Sequence, residues 1–220
     1  MTPCAASTLL AGPLDEGAPL REAARTRLSV HYETGRADVP VLCVGLPAAV
    51  RLPNLLVVPA LPSGSVTTSS FRVTRWWRPA RPRVRPAPGH EDVMHSAVAL
   101  DPAALVGRGA GLTPTGDDVL AGALVAAHAV RHPLLDTWRA ATRDVLRERR
   151  TTVVSWGLLH HALDGWAAPE LAAYVDAVTA GRPEPARSRL LALGHSSGRA
   201  LADGADLVLD TAAVFEEGAA

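Results

Sequence analysis

Lysine is absent from this chain: the basic residues, 22 among 220, are all arginine. That removes Schiff-base chemistry on a lysine amine, and it removes the lysine on which a P-loop depends. Cysteine is scarce too. Cys4 and Cys43 belong to no CxxC pair, and no histidines complete a zinc-ligand pattern around them. Two such thiols do not make a disulfide framework, so a reducing cytoplasm is the expected setting. The first 20 residues carry no arginine, which argues against the basic start of a secretory signal. The longest apolar stretch, Val119 to Val130, is interrupted by His128 and is too short to span a bilayer.

What is present is an ordinary globular composition, 48% apolar and 20% charged, in a chain long enough for one large domain or two small lobes. The net charge is zero but unevenly spread. Residues 1–90 hold 11 arginines against 5 acids, and residues 91–220 hold 11 against 17. Opposite charge in two halves suggests lobes that attract each other or faces for different partners, and it argues against a general nucleic-acid binder.

The patterning changes along the chain. Alternating or apolar runs at Arg27 to Tyr32, Val39 to Leu46, Leu55 to Ala60 and Phe71 to Trp77, separated by Pro and Gly, predict strands of a small antiparallel sheet or partial barrel. Residues 78–90 are rich in Pro and Arg and predict a strap or lobe boundary. Beyond it the period predicts helices near 91–100, 117–131, 134–149, 152–164, 169–180, 186–193 and 197–204, with Gly165 and Gly181 as C-terminal caps and Pro133 and Pro169 near helix starts. The fold expectation is α+β, with a β-rich lobe over 1–90 and a helical lobe over 91–220.

The densest chemistry lies in Gly107-Arg-Gly-Ala-Gly-Leu-Thr-Pro-Thr-Gly-Asp-Asp118. Gly107, Gly109 and Gly111 let the backbone approach a ligand closely, and free N–H groups at the helix start behind them suit an anion. Thr115 with Asp118 three residues on fits a capping box. Two aspartates beside an anion would repel it, unless Mg²⁺ bridges them, Arg108 neutralises the charge, or one of them only caps the helix. Successive helical residues point about 100° apart, which favours Asp117 toward the site, where it could meet Mg²⁺, and Asp118 on the cap. The plain alternative is a tight turn before a well-capped helix.

Gly194-His195-Ser196-Ser197-Gly198 matches the GxSxG pattern of α/β-hydrolases, but no histidine follows Ser196, so the triad order of that class is impossible. The segment reads better as a second helix start, where Ser196 or Ser197 caps or grips a polar group. Thr151 or Thr152 is a candidate cap for the next helix in the chain's middle, on which Ser155 and Leu159 share a face. Adjacent His160 and His161 diverge on that helix and are poorly placed to chelate one metal. Arg72, Arg75, Arg78, Arg81, Arg83 and Arg85 surround Trp76 and Trp77, a pattern known from nucleic-acid binders, yet in a neutral chain it reads as a strap docking on the acidic half.

The three segments, in this order and spacing, resemble the AllH-like family, an uncharacterised-domain family that contains a subunit of oxamate carbamoyltransferase in allantoin degradation. The resemblance covers about residues 105–205, with weaker echoes at Leu52-Pro53-Asn54 and Val66 to Arg72. It departs from the family in a shorter β-rich half and at Ala200, where members often carry an acid. The resemblance implies carbamoyl transfer between carbamoyl phosphate and oxamate, or the reverse phosphorolysis, by one of several subunits. It implies that Asp117, Asp118, Thr115 and Ser196 take part in catalysis. Gly107, Arg108, Gly109, Gly111, Thr113, Thr152, Ser155, His195 and Ser197 would then bind carbamoyl phosphate, phosphate or an oxamate-like carboxylate. The alternative is a non-catalytic assembly or ligand-sensing subunit. Other subunits are expected partners; a membrane or nucleic acid is not.

Overall fold

The alternating runs of the first third form strands because each can lay one face on a shared core. The computed structural model, which describes residues 1–14, 16–85, 100–148 and 150–217, places seven strands there: β1 (Thr2–Ser7), β2 (Pro19–Arg25), β3 (Ser29–Glu33), β4 (Val41–Gly45), β5 (Leu55–Val57), β6 (Val66–Thr67) and β7 (Phe71–Trp77). A short helix, α1 (Ala11–Leu14), lies between β1 and β2. The strands order as β6-β2-β3-β4-β5-β1-β7 in one sheet curled into a half-barrel. Two pairings, β1 with β7 and β4 with β5, are parallel, so the sheet is mixed rather than purely antiparallel.

β3 and β4 are buried on both faces. Val30, Tyr32, Leu42 and Val44 turn into one hydrophobic core with Leu10, Leu56 and Phe71. The pleat sends Ser29, His31 and Cys43 to the opposite face, and the register sets His31 directly across from Cys43. That second face meets the helices.

The helices are α2 (Pro102–Leu105), α3 (Thr115–Val130), α4 (Leu135–Arg147), α5 (Val153–Ala162), α6 (Pro169–Val178), α7 (Ala186–Leu191) and α8 (Ser197–Glu217). The chain is thus α+β as expected, β first and helices after. The expected helix near 91–100 falls on residues 91–99, outside the described residues. Among the described residues no helix is long and apolar enough to cross a membrane.

α3 is apolar and buried on nearly every side, as a central core helix must be. It crosses α8 so closely that a Cβ on Gly122 would lie 2.1 Å from the Leu201 carbonyl oxygen, and one on Gly204 would lie 1.9 Å from that of Val119. α4 buries Leu135, Trp138, Thr142, Val145 and Leu146, the spacing of a single apolar stripe. α5 lies against β3 and β4. Its Gly157 permits this: a Cβ there would come within 2.9 Å of Asn54 Nδ2 and 3.2 Å of Val41 Cβ. Asn54 is held in turn by donating to the Val41 carbonyl at 2.8 Å. The strap docks on the helices. Arg83 N–H donates to Asp176 Oδ1 at 2.8 Å, Arg85 N–H to the Ala129 carbonyl at 2.7 Å, and the Arg81 guanidinium sits 5.1 Å over the Trp166 ring. Residues 86–90 of the strap lie outside the described residues.

Candidate functional site

The glycine segment is tied down by its first aspartate. Asp117, on the first turn of α3, is fully buried, and its Oδ1 accepts the Gly107 N–H at 2.8 Å. Its Oδ2 accepts the hydroxyl of Thr151, just ahead of α5. One carboxylate therefore fastens the loop, α3 and the α5 start together. Gly107 has φ +76°, and a Cβ on it would lie 2.2 Å from the Arg150 carbonyl oxygen, so no other residue fits there.

Asp118 points elsewhere. It is also buried, and it lines a cavity of about 290 Å³ between the helices and the sheet. Desolvation pushes its carboxyl up to about 6, Asp117 adding to the rise and the hydroxyls of Ser197 and Thr113 opposing it. The sequence reading set Asp117 toward the site and Asp118 on the cap; in this geometry Asp118 lines the cavity, and neither caps α3. Thr151 and Gly107 claim the Asp117 carboxylate. Nor does Thr115 cap α3. Pro114, extended at φ −49° and ψ 139°, holds the N-cap position without a side-chain hydrogen bond, and Thr115 is exposed.

The third motif arrives at the same place. Thr113 Oγ1 and Ser197 Oγ are 2.8 Å apart across 84 residues of sequence, and both line the cavity with Asp118. Thr152 braces the loop from behind: its hydroxyl donates to the Leu112 carbonyl at 2.6 Å and accepts the Ser155 N–H at 3.1 Å, capping α5 as expected. Ser155 is fully buried, and its hydroxyl has no hydrogen-bond partner among the described residues. Arg108, Gly109, Gly111, His195 and Ser196 are solvent-exposed and are not among the cavity-lining residues. Of the residues singled out from the sequence, the structure brings Thr113, Asp118 and Ser197 together on the cavity; Asp117 and Thr152 hold its wall.

The cavity's other wall is the second face of the sheet, and its polar residues escape sequence reasoning. Ser29, His31 and Cys43 line it. His31 Nε2 lies 3.1 Å from Ser29 Oγ and 3.8 Å from Cys43 Sγ, while its Nδ1 is buried without a partner. Burial lowers the His31 pKa to about 4, so the ring is neutral, and pushes the Cys43 thiol up to about 12. A thiol so far from ionisation is not a nucleophile at neutral pH. The only sequence signal for this cluster is the strand alternation, and that cannot supply the register that joins positions 31 and 43.

The remaining walls are aliphatic, among them Leu52, Leu112, Val154, Leu158, Leu171 and Leu201, and among the described residues no arginine lines the cavity. The pair of aspartates does not fit a Mg²⁺ centre. Both Asp117 oxygens are committed to protein donors, and among the described residues no three His, Cys, Asp or Glu side chains converge to hold a metal.

Nothing among curated proteins or solved structures matches the chain. A family comparison does: the stretch that contains all three motifs, residues 105–209, matches the family model described as oxamate carbamoyltransferase subunit AllH.

Proposed function

We propose that the chain is an AllH-like subunit of a carbamoyltransferase, and that the cavity under its first and third motifs holds a reactant. The observation that carries this reading is the meeting of Thr113, Asp118 and Ser197. Two motifs far apart in sequence place three hydrogen-bonding groups at one point of a mostly apolar cavity, the arrangement expected of a small-molecule site. In its ionised form Asp118 accepts a substrate N–H and can take its proton; the two hydroxyls fix the orientation. Such a site works by positioning and electrostatics, without a covalent intermediate.

The phosphate of carbamoyl phosphate, or a carboxylate, is assigned to the rim. Among the described residues the N–H groups of Gly109, Ala110, Gly111 and Leu112 have no hydrogen-bond partner in the chain, and Arg108 is exposed beside them, which supports anion capture there. The two separate hydrophobic cores support a β lobe over 1–90 and a helical lobe over 91–220. The setting on this reading is the cytoplasm, with the other subunits of a carbamoyltransferase as partners.

The absence of arginine from the cavity wall among the described residues favours one second reading: a ligand-sensing or assembly subunit whose partner supplies the cations. Calorimetric titration with carbamoyl phosphate, phosphate and oxamate, alone and beside a partner subunit, tests both. Binding by the chain alone supports a reactant site; binding only in the complex supports the accessory role. No binding in either state contradicts both.

A further inference from the structure

The cavity's size, its walls and the one carboxyl that lines it among the described residues, Asp118, together specify a ligand. Its volume, about 290 Å³, is roughly ten times the ~30 Å³ that a water molecule occupies in the liquid. A two-carbon acid amide would leave most of that space empty. Three exposed aliphatic side chains from three separate loops, Leu28, Val50 and Leu112, at 40%, 44% and 50% exposure, line it as well. Apolar surface left in water in this way marks a place where hydrocarbon is meant to enter.

The polar groups are equally selective. Among the described residues no arginine lines the cavity, and the lining histidine, His31, is neutral. A phosphate or a dicarboxylate brought inside would lose its water with no cation to replace it, beside the Asp118 carboxyl. An ammonium or an amide N–H₂ meets the reverse: a buried carboxylate acceptor, at which a charge-assisted hydrogen bond is strong.

We propose that this cavity binds a nitrogen nucleophile on an apolar body, an alkyl- or aryl-substituted amine or primary amide. Its N–H groups sit on Asp118, Thr113 and Ser197, and its hydrocarbon lies among Leu112, Val154 and Leu158. Calling this molecule the carbamoyl acceptor rests on the carbamoyltransferase reading; its binding does not.

The test is calorimetric titration of the full chain with n-hexylamine, benzylamine and hexanamide, set against oxamate and carbamoyl phosphate. The wild type is compared with Asp118→Asn and with Ala48→Trp, which fills the mouth from an exposed loop position; circular dichroism checks that each variant is folded. At least one of the three hydrocarbon ligands is expected to bind with one-to-one stoichiometry, at least tenfold more tightly than oxamate. Asp118→Asn weakens the amines tenfold or more, and Ala48→Trp weakens all three. The proposal is overturned if none of them binds the wild type, if oxamate binds as well as they do, or if folded Asp118→Asn and Ala48→Trp both bind unchanged. A complex that carbamoylates oxamate while the chain ignores hexanamide and both amines refutes this inference and keeps the function. A chain that binds them inside a complex with no carbamoyl transfer does the opposite.

Discussion

Asp117 and Asp118 are neighbours of identical chemistry with opposite roles. Asp117 has both oxygens satisfied by donors from two other segments. Hydrogen bonds to a charged acceptor contribute about 1.5–3 kcal/mol each, and removing the acceptor leaves buried donors unpaired. Asp117→Ala should therefore destabilise the fold by about 3 kcal/mol or more, read as a lower midpoint in urea. Asp118 is held in the fold against its chemistry. Its pKa is about 6, above its ordinary 3.8. An acid whose pKa rises on folding is stabilising below its unfolded pKa, and that contribution is lost as pH climbs from about 4 through 6. At pH 8 the buried charge costs on the order of 3 kcal/mol. Asp118→Asn should thus stabilise the chain by up to that amount at pH 8, and the gain should fade toward pH 4, as measured by urea melts across that range. Equal effects of substituting Asn at 117 and at 118 would contradict the division of roles. The GDD motif is legible in the sequence; which aspartate faces the cavity is not, because Thr151, 34 residues from Asp117, decides it.

At the scale of elements, the site depends on where α5 starts and how closely it lies on the sheet. Thr152 both caps the helix and grips the glycine loop. Thr152→Ala should cost about 1 kcal/mol from the lost cap alone, with a further loss of ligand affinity as Leu112 is released. Gly157→Ala places a methyl against Asn54 and Val41; overpacking of this kind costs about 1–3 kcal/mol, read as a lower melting temperature. Strand β7 matches the apolar run Phe71 to Trp77 residue for residue, and α4, α5 and α6 start within a residue of where their caps and periodicity put them. These signals are local. The strands Thr2–Ser7 and Pro19–Arg25 are not legible. TPCAAS and PLREAAR lack β-branched alternation, and their pairing comes from β5 and β7 in one case and from β3 and β6 in the other. Tertiary pairing outweighs propensity there. Likewise α8 runs on to Glu217, well past the expected end near 204, with Ala205, Val208 and Leu209 buried in the helical core.

Over the whole molecule, the sheet and the helices each supply a wall of the cavity, so the site exists only when the two are docked. That docking rests on contacts that composition hides: α5 laid on β3 and β4, His160 Nε2 at 2.9 Å from the Asp38 carbonyl oxygen, and the strap on Asp176 and Trp166. The opposite net charges of the two halves hint that they associate. They do not reveal that the junction encloses a largely aliphatic space, since charge read along a sequence carries no information on which side chains face inward. The stretch that matches the AllH model, residues 105–209, covers the helical wall of the cavity, and the sheet wall lies outside it.

The central claim is that the reacting nitrogen sits where Thr113, Asp118 and Ser197 converge rather than at the exposed Thr115, His195 and Ser196 of the same motifs. The measurement that tests it most directly is calorimetric titration, with whichever of carbamoyl phosphate, oxamate or hexanamide the wild type binds most tightly, of two sets of folded variants. Thr113→Val, Asp118→Asn and Ser197→Ala should each weaken binding about tenfold or more, while Thr115→Ala, His195→Ala and Ser196→Ala stay within about twofold of wild type, since roughly 1.4 kcal/mol per lost hydrogen bond is a factor of ten. The opposite pattern, with the exposed set abolishing binding and the cavity set leaving it intact, would contradict the account.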